Sequence, residues 1–320
     1  MKHRTAWLAV LVLALLFAGG CDSSGGGVST AAAPEGNEAP ASLTSSERPT
    51  FGIIYPMAHP FYEMITQYAK EAAADLGAQL IVKAPDEANL EQQIRMMETM
   101  ISQKVDGIAI DPVDRSALVP VIDKAVSAGI PVICFESDAP GSKRLSYIGA
   151  DNEQAGQRMG KMLDGLLEGK GMVMMETGMA GMTSMSERLK GLLDYLNGNT
   201  EIQVLEVRYN EGKETAALSH LEEMIESHPH FDAFVALDVM SGSASVLVWK
   251  ASGLDRYALA FGLMPGIQQA LDNGQITAVV SQHEQLWGER IVGRLLDASR
   301  GIAIPPFDDM GLEEVQGIGH

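Results

Sequence analysis

Short apolar runs alternate with amphipathic segments along most of the chain. The first run, Phe51–Tyr55, has the length of a buried parallel strand. Pro60 suits the first turn of a helix, apolar residues then recur at helical spacing as far as Leu76, and Gly77 is a common helix terminator. These features predict a strand, a short loop and a helix over residues 51–76.

The same alternation continues for most of the chain. In the first half it predicts strands at 79–82, 107–110 and 130–135, with helices near 90–101 and 118–125. In the second half it predicts helices near 153–167, 184–196, 215–226, 241–251 and 284–299, with strands at 172–177, 203–207, 233–237, 259–261 and 277–280. Alternating strands and helices are typical of βαβ units. The predicted fold class is therefore α/β, with two doubly wound parallel-sheet lobes.

The segment before the first strand is interpreted as a leader. Lys2 and Arg4 precede a short apolar run, which is typical of a signal peptide over residues 1–20. Residues 17–21 resemble a bacterial lipobox, in which Cys21 is lipidated and becomes the new N-terminus. An ordinary secretory peptide and an uncleaved anchor are the alternatives. We expect a lipoprotein of the periplasm or cell envelope, and Asp22 favours retention on the inner membrane.

Residues 21–49 are rich in Gly, Ser, Ala, Pro and Glu, and few of them can pack. This composition predicts a disordered tether. The folded part is then expected to begin at about residue 50.

The overall charge excludes some partners. The chain has 23 Lys and Arg against 42 Asp and Glu, a formal net charge of −19. Such a chain repels phosphate backbones and offers no basic face to anionic lipids, so nucleic acid is not an expected partner and the lipid anchor is the only expected membrane contact. With Cys21 acylated, Cys134 has no disulfide partner, and its apolar strand predicts a buried, inert thiol.

Linear motifs for enzyme chemistry are absent from the sequence. No G-x-G-x-x-G follows a predicted strand, and there is no P-loop and no H-E-x-x-H. Residues 181–185 do not complete the G-x-S-x-G pattern. We therefore expect a protein that is not an enzyme and that needs neither a cofactor nor a metal.

Several motifs, in order and correctly spaced, resemble the periplasmic sugar-binding proteins of bacterial ABC importers, in particular a divergent subgroup of the ribose-binding-protein-like (type I periplasmic binding protein) group. They are found at residues 59–62, 111–114, 128–133, 150–156, 178–188 and 274–288. The resemblance implies two lobes joined by a three-strand hinge, which close around one sugar. It implies a first lobe from residues 50–150 and 283–309, and a second lobe from 151–282 and 310–320.

The resemblance also implies particular ligand-binding residues. Phe61 and Tyr62 match the aromatic residues that stack on sugar rings. Arg188 matches an arginine whose rigid fork of donors suits two sugar oxygens. Gln282, beside the last crossing between lobes, matches an amide on the hinge side of the site.

Other positions depart from the family pattern. His59 replaces the usual asparagine, and Glu136-Ser137, followed by Asp138, replaces the usual Asp-Arg. Asp238 lies near another usual asparagine, and Gly262 replaces a hydroxyl-binding aspartate. Because of these differences we do not expect ribose itself to be the ligand.

Most of these residues have a second interpretation. Phe61 and Tyr62 are equally consistent with core positions, and His59 with a bond to a local backbone group. Arg188 is also consistent with a surface ion pair, and Glu136 and Asp138 with solvated loop positions. Asp238 is also consistent with a helix cap, and Gln282 with a plain hinge position.

The combined interpretation is a membrane-tethered, monomeric solute-binding receptor for an ABC permease of the inner membrane. Its ligand is expected to be a small sugar, polyol or sugar derivative held between two closing lobes. The alternative is a sensory receptor for a sugar or a furanone-type signal, acting on a kinase or chemoreceptor. An enzyme is less favoured, and sugar-responsive repressors need a basic helix-turn-helix where this chain has an acidic tether.

Overall fold

A computed structural model describes residues 48–317 of the chain. The predicted signal peptide, Cys21 and nearly all of the predicted tether lie outside the described residues. Within residues 48–317, no helix is long and apolar enough to span a lipid bilayer.

The strands form two six-stranded sheets. The first sheet contains β1 (Thr50–Ile54), β2 (Gln79–Lys83), β3 (Gly107–Ile110), β4 (Val132–Phe135), β5 (Ser146–Gly149) and β11 (Phe307–Asp309). The second contains β6 (Lys170–Thr177), β7 (Glu201–Tyr209), β8 (Ala233–Ala236), β9 (Tyr257–Phe261), β10 (Ala278–Ser281) and β12 (Glu313–Gln316). The strand orders are β11-β5-β4-β3-β1-β2 and β12-β10-β9-β8-β6-β7. Only the β10–β12 pair is antiparallel among the described strands.

Helices connect the strands and cover the sheets. They are α1 (Pro60–Leu76), α2 (Leu90–Gln103), α3 (Val119–Ser127), α4 (Asn152–Leu167), α5 (Thr183–Asn199), α6 (Glu214–Ser227), α7 (Val239–Ser252), α8 (Pro265–Asp272) and α9 (Trp287–Ser299). The prediction of two α/β lobes with parallel sheets is confirmed.

The chain passes between the sheets three times. It leaves the first sheet after β5, returns to it after β10 and leaves it again between β11 and β12. In each sheet the carboxyl ends of the strands form one edge, where ligands bind in open α/β sheets. We call the space between these two edges the cleft.

The structure corrects several details of the predicted elements. The long helix predicted from residue 284 is a 3-10 turn, Glu284–Leu286, followed by the α-helix α9. Four elements have no counterpart in the prediction, namely β5, α8, β11 and β12. The strands among them are only three or four residues long, and β12 is mostly polar, so they lack the long apolar runs used for prediction.

Local capping explains where several helices begin and end. The His59 side chain accepts from the Phe61 N–H at 3.2 Å, and Pro60 occupies the first turn of α1. Gly77 ends the helix in the left-handed conformation, with φ of 69°. Asp151 caps α4 by accepting from the Gln154 N–H at 2.9 Å. Helix α1 therefore starts at the cleft because its cap, His59, lies in the short loop after β1.

Glycines allow α4 and α5 to pack closely beneath the cleft. A Cβ atom on Gly156 would lie 2.0 Å from the Arg188 carbonyl oxygen, and one on Gly191 would lie 2.0 Å from the Glu153 carbonyl oxygen. Backbone atoms cannot move aside as a flexible side chain can. The close approach of these helices therefore sets the position of the α5 backbone that carries Arg188.

Gly156→Ala is expected to destabilise the protein by about 1–3 kcal/mol, since overpacking forces the backbone to shift. Gly165→Ala on the same helix is the matched control, because a Cβ atom there has no neighbour within 4 Å. That control should be neutral or stabilising by up to about 1 kcal/mol. Chemical denaturation measures both. Equal effects of the two substitutions would contradict the close packing of α4 on α5.

Candidate functional site

Aromatic side chains pack together at the cleft edge of the first lobe. The ring centroids of Tyr55 and Tyr62 are 4.8 Å apart, and those of Phe61 and Tyr62 are 5.1 Å apart. Trp287 from α9 lies edge-on to both Phe61 and Phe135, at 6.3 and 6.4 Å. Phe61 and Tyr62 are only 3% and 7% exposed, so they belong to the core while they also lie at the cleft edge.

His59 connects the two lobes. Its Nδ1 accepts from the Phe61 N–H, so in the neutral ring the proton is on Nε2. Nε2 lies 3.2 Å from Oε1 of Glu214, at the start of α6 in the second lobe. Burial lowers the pKa of His59, and the Glu214 carboxylate opposes this shift. His59 therefore satisfies a local backbone group and also contacts the opposite lobe.

Asp111, directly after β3, is buried next to the aromatic cluster. Its Oδ2 accepts from the Tyr62 hydroxyl at 2.9 Å, while its Oδ1 is buried and has no hydrogen-bond partner. Gln93 holds the backbone of this turn, because its amide donates to the Asp111 carbonyl at 2.8 Å. Burial and the nearby charge of Glu136 raise the pKa of Asp111 well above its ordinary value.

Glu136, directly after β4, has a left-handed backbone with φ of 59°. Such a conformation is uncommon outside glycine and costs about 1–3 kcal/mol, and residues of this kind occur often at binding sites. The Glu136 carboxylate accepts from Arg188 Nη2 at 3.4 Å and from the Ser184 hydroxyl at 3.0 Å. Burial raises the pKa of Glu136, and the Arg188 charge opposes this shift.

Arg188 on α5 is 1% exposed and reaches several groups. It donates to the Leu237 carbonyl and to Asn152 Oδ1, both at 2.6 Å. Its guanidinium carbon lies 3.4 Å from the centroid of the Phe261 ring, in a cation–π arrangement. Its Nε has no partner. Burial lowers the pKa of Arg188, and Glu136 opposes this shift.

Asp238 follows β8 and caps α7. Its side chain accepts from the Met240 N–H at 3.1 Å and the Ser241 N–H at 3.3 Å. The Asn210 amide also donates to both of its carboxylate oxygens, at 3.1 and 3.2 Å. Burial raises the pKa of Asp238. Capping is therefore an observed role of Asp238, while its predicted contact with a ligand remains untested.

Ser137 and Asp138 lie where the two lobes touch. Ser137 Oγ accepts from the Ser184 N–H at 3.3 Å, and the Thr183 hydroxyl donates to the Asp138 carbonyl at 2.7 Å. The Asp138 carboxylate is occupied by Arg144, whose Nε and Nη2 donate to its two oxygens. The bonds from Ser184 and Thr183, together with the His59–Glu214 pair, join the two lobes.

Gln282 lies at the second crossing between the lobes. Its carbonyl accepts from Trp287 Nε1 at 3.1 Å, and its backbone N–H donates to Glu284 at 3.2 Å. Its side-chain Oε1 is buried and has no partner. An unsatisfied buried polar atom is unfavourable, so Gln282 Oε1 and Asp111 Oδ1 are both available to a hydrogen-bond donor.

A cavity of about 470 Å³ opens where the lobes meet beside His59, and we call it the mouth cavity. It is lined by residues of both lobes: Met57, Ala58, His59, Pro60, Asp86, Glu87, Gly212, Lys213, Glu214, Thr215 and Met240. A larger cavity of about 690 Å³ lies beside α1 on the first lobe and shares Met57, Ala58 and His59 with it.

Residues 52–301, well over half of the 320-residue chain, match the periplasmic binding protein domain. The chain belongs to this family. The expected resemblance to periplasmic sugar-binding proteins is confirmed at this level.

Curated relatives in the family include the ribose import binding protein of Bacillus subtilis. It is 24% identical over 243 residues, which cover 75% of this chain and 78% of the relative. A D-apiose import binding protein of Paraburkholderia graminis is 26% identical over 227 residues, which cover 70% of this chain and 72% of the relative. Among solved structures, an ABC transporter solute-binding protein of Burkholderia graminis in complex with D-arabinose has a TM-score of 0.81 and 28% identity, covering 86% of this chain and 97% of that one.

The structure brings most of the predicted site residues to the two facing edges. His59, Phe61, Tyr62, Glu136, Ser137 and Asp138 are in the first lobe, Arg188 and Asp238 are in the second, and Gln282 is at the crossing. All of them are buried. Cys21 lies outside the described residues. Their roles as ligand contacts remain predictions.

Sequence reasoning missed several residues that complete the site. These are Asp111, Asn152, Ser184, Phe261 and Trp287. The position of Asp111 at the carboxyl end of a predicted strand was a usable signal, because such ends meet at the ligand edge. The role of Ser184 had no linear signal, since it depends on contact with Glu136, which is 48 positions away.

Proposed function

We propose that this protein is the solute-binding receptor of an ABC importer and that it binds a small sugar, polyol or sugar derivative in the cleft. The observation that carries the proposal is the pairing of buried aromatic rings on one lobe with the buried Arg188 and Asp238 on the other. Family membership supports it, and so do relatives named as sugar-binding import proteins. Membership of this family of receptors also argues for binding without catalysis.

The physical basis is that a sugar has two chemically distinct parts. Aromatic faces such as Phe61 and Tyr62 suit the apolar C–H face of the ring. Arg188, Glu136 and Gln282 suit its hydroxyl groups, because a buried polar group is stable only when it is paired. A ligand that contacts both lobes binds the closed form more tightly, and this difference in affinity shifts the equilibrium towards closure.

A thermal-shift screen with neutral pentoses, hexoses, polyols, amino sugars and furanone-type compounds tests the function. A ligand at about 100 times its dissociation constant should stabilise the protein by about 2.7 kcal/mol. Small-angle scattering should then report a smaller radius of gyration when that ligand is added. No shift with any sugar, polyol or sugar derivative would contradict the proposal.

We further propose that the receptor is tethered to the membrane through lipid on Cys21, and the lipobox-like residues 17–21 support this. Cys21→Ser is expected to move the protein from the membrane fraction to the soluble fraction, because each buried acyl CH₂ contributes about 0.8 kcal/mol to anchoring. Cell fractionation with immunoblotting measures the change, and Cys134→Ser is the matched control. A wild-type protein found entirely in the soluble fraction would disprove the anchor.

A further inference from the structure

Buried carboxyl groups outnumber buried cations near the cleft. Besides Asp138, which is paired with Arg144, five buried carboxyl groups lie near strand ends or at the crossing, namely Asp111, Glu136, Glu176, Asp238 and Glu284. Among the described residues Arg188 is the one buried arginine, and no lysine is buried. Since an unpaired charge away from water is strongly unfavourable, such carboxyl groups are stable either when they are protonated or when a cation pairs with them.

Two of the five carboxyl groups have partners on neighbouring elements other than the facing strand ends. Glu284 accepts from the Ser281 hydroxyl at 2.7 Å and from the Leu263 N–H at 3.3 Å. Oε1 of Glu176 lies 2.9 Å from Nδ1 of His220 on α6, in the same lobe, while Oε2 of Glu176 is buried and has no partner. The three that remain for the cleft are Asp111, Glu136 and Asp238.

Only one oxygen of these three carboxyl groups lacks a hydrogen-bond donor. Both oxygens of Glu136 and both oxygens of Asp238 have donors, and Oδ2 of Asp111 has the Tyr62 hydroxyl. Asp111 Oδ1 is left without one, although the side chain is completely buried. The Ser137 N–H donates to the Phe135 carbonyl at 2.7 Å, and it also lies close enough to the Asp111 carboxyl group to lower its pKa.

These carboxyl groups are also close enough to affect one another. Burial is the largest cause of the raised pKa values of Asp111 and Glu136, and Glu136 is the next largest cause for Asp111. For Glu136, Arg188 and Ser184 oppose the shift, and Asp238 adds a smaller upward effect. The Glu136 charge is shared with Arg188, whereas the partners of Asp111 and Asp238 are neutral donors. The cleft therefore has one buried cation, Arg188, for these three carboxyl groups.

The mouth cavity has the same sign of charge. Asp86 and Glu87 from the first lobe and Glu214 from the second line it, against the single cation Lys213. Charges of one sign around a cavity attract ligands of the opposite sign and raise their association rate. The mouth cavity and the buried carboxyl groups thus favour the same kind of ligand.

The described residues do not offer a metal ion a site at which it could balance the buried carboxyl groups. Within residues 48–317, no three His, Cys, Asp or Glu side chains are arranged so that they could hold one. An organic ammonium group needs only one or two carboxylates and donates up to three hydrogen bonds.

We propose that the ligand is a polyhydroxylated amine, such as an amino sugar or an amino polyol, whose ammonium group binds at Asp111 Oδ1 beside Glu136. The inference rests on the proposed function and narrows its ligand class. An ammonium group would give Asp111 its missing donor and would reduce the repulsion among the three carboxyl groups. A neutral hydroxyl group would provide a donor but no charge, and an acidic or phosphorylated sugar would increase the repulsion.

Pairs of ligands that differ mainly by an amino group in place of a hydroxyl group test whether the ligand's positive charge matters. Thermal shift and calorimetry would compare D-glucosamine with D-glucose, D-galactosamine with D-galactose, and 1-amino-1-deoxysorbitol with sorbitol, together with glucose 6-phosphate. We expect the amine of at least one pair to bind on the order of tenfold tighter than its neutral counterpart, which corresponds to about 1.4 kcal/mol. Glucose 6-phosphate should not bind.

Asp111→Asn tests whether Asp111 binds the ammonium group. The amide keeps the shape of the side chain and one acceptor oxygen, but it cannot carry a negative charge. It should abolish the preference for the amine while the neutral partner binds about as before. Asp255→Asn, which removes one charge from an exposed position, should keep the preference. If Asp111→Asn does not fold, as judged by its melting curve without ligand, Glu136→Gln serves as the second variant.

Three outcomes separate this inference from the proposed function. Neutral sugars or polyols that bind as tightly as the amines would overturn the inference and leave the function intact. An amine preference that survives in both cleft variants would also overturn it. If no sugar, polyol or amine binds, the proposed function and the inference both fail.

Discussion

Arg188→Met is expected to weaken ligand binding by about 2–4 kcal/mol, because a buried charged donor is lost and ligand oxygens go unpaired. It should also destabilise the ligand-free protein. Removing the guanidinium leaves Glu136 without its cation and leaves Asn152 Oδ1 and the Leu237 carbonyl without a donor. Breaking a buried pair from one side typically costs about 3–5 kcal/mol.

The two effects are separated by measuring them independently. Calorimetry gives the affinity, and denaturation without ligand gives the free energy of unfolding. Lys190→Met is the matched control, since Lys190 is on the same helix and its pairs with Glu153 and Asp194 are exposed. Exposed pairs of this kind contribute at most about 1 kcal/mol. If Arg188→Met is as stable as Lys190→Met and binds like wild type, Arg188 is not the centre of the site.

Scattering adds a third measurement for Arg188. Arg188 belongs to the second lobe, and it contacts Glu136 in the first. A variant without this contact should be more open than wild type at equal ligand occupancy, because the ligand then distinguishes less between open and closed forms. An unchanged radius of gyration would mean that other contacts alone hold the lobes together.

Glu176→Gln is expected to stabilise the ligand-free protein at neutral pH. Burial raises the pKa of Glu176 from 4.5 to about 9, and the Asp238 charge adds to this shift. Between these two values the folded state holds a proton that the unfolded state has lost. Stability therefore falls as pH rises from 4.5, by about 1.4 kcal/mol per pH unit. By pH 7 the loss is about 3 kcal/mol, and glutamine should remove it.

Glu206→Gln is a control for which the opposite change in the free energy of unfolding is expected. Arg208 donates a hydrogen bond to Glu206 and lowers its pKa, so the folded state holds fewer protons there than the unfolded state. Its stabilising contribution is present above the unfolded-state pKa and is lost as pH falls. Glu206→Gln should therefore destabilise the protein at pH 7. Urea denaturation from pH 5 to pH 8 measures both variants, and a stability of Glu176→Gln below that of wild type at pH 7 would refute the expectation.

The buried acidic groups are expected to lower the stability of the ligand-free protein and to become favourable when a ligand binds. Glu136 has an uncommon backbone conformation as well as a buried charge, and Asp111 has an oxygen without a donor. Proteins tolerate such unfavourable features mainly where a ligand relieves them. The ligand-free protein is thus expected to gain more stability from its ligand than from changes to its surface.

The sequence by itself determined the order of most elements and, to within a few residues, where they lie. Helix α1 was predicted at Pro60–Leu76, as observed, because Pro60, the apolar spacing and Gly77 act within a few residues of one another. The edge positions of His59, Glu136 and Asp238 followed from the same local rules, since Glu136 and Asp238 come directly after a predicted strand and His59 lies in the short loop after one. The elements without counterpart, such as β12, are short or polar and take their structure from a neighbouring strand.

Only the tertiary structure decided which charges meet. Arg144 occupies the Asp138 carboxylate, whereas Glu136 is paired with Arg188, 52 positions away, across the two lobes. Asp111 is left with an unsatisfied oxygen by the combined positions of Tyr62 and Ser137. Spacing along the chain shows which side chains reach an edge, but the pairing of buried charges depends on distances of a few ångströms between edges that meet only when the chain has folded.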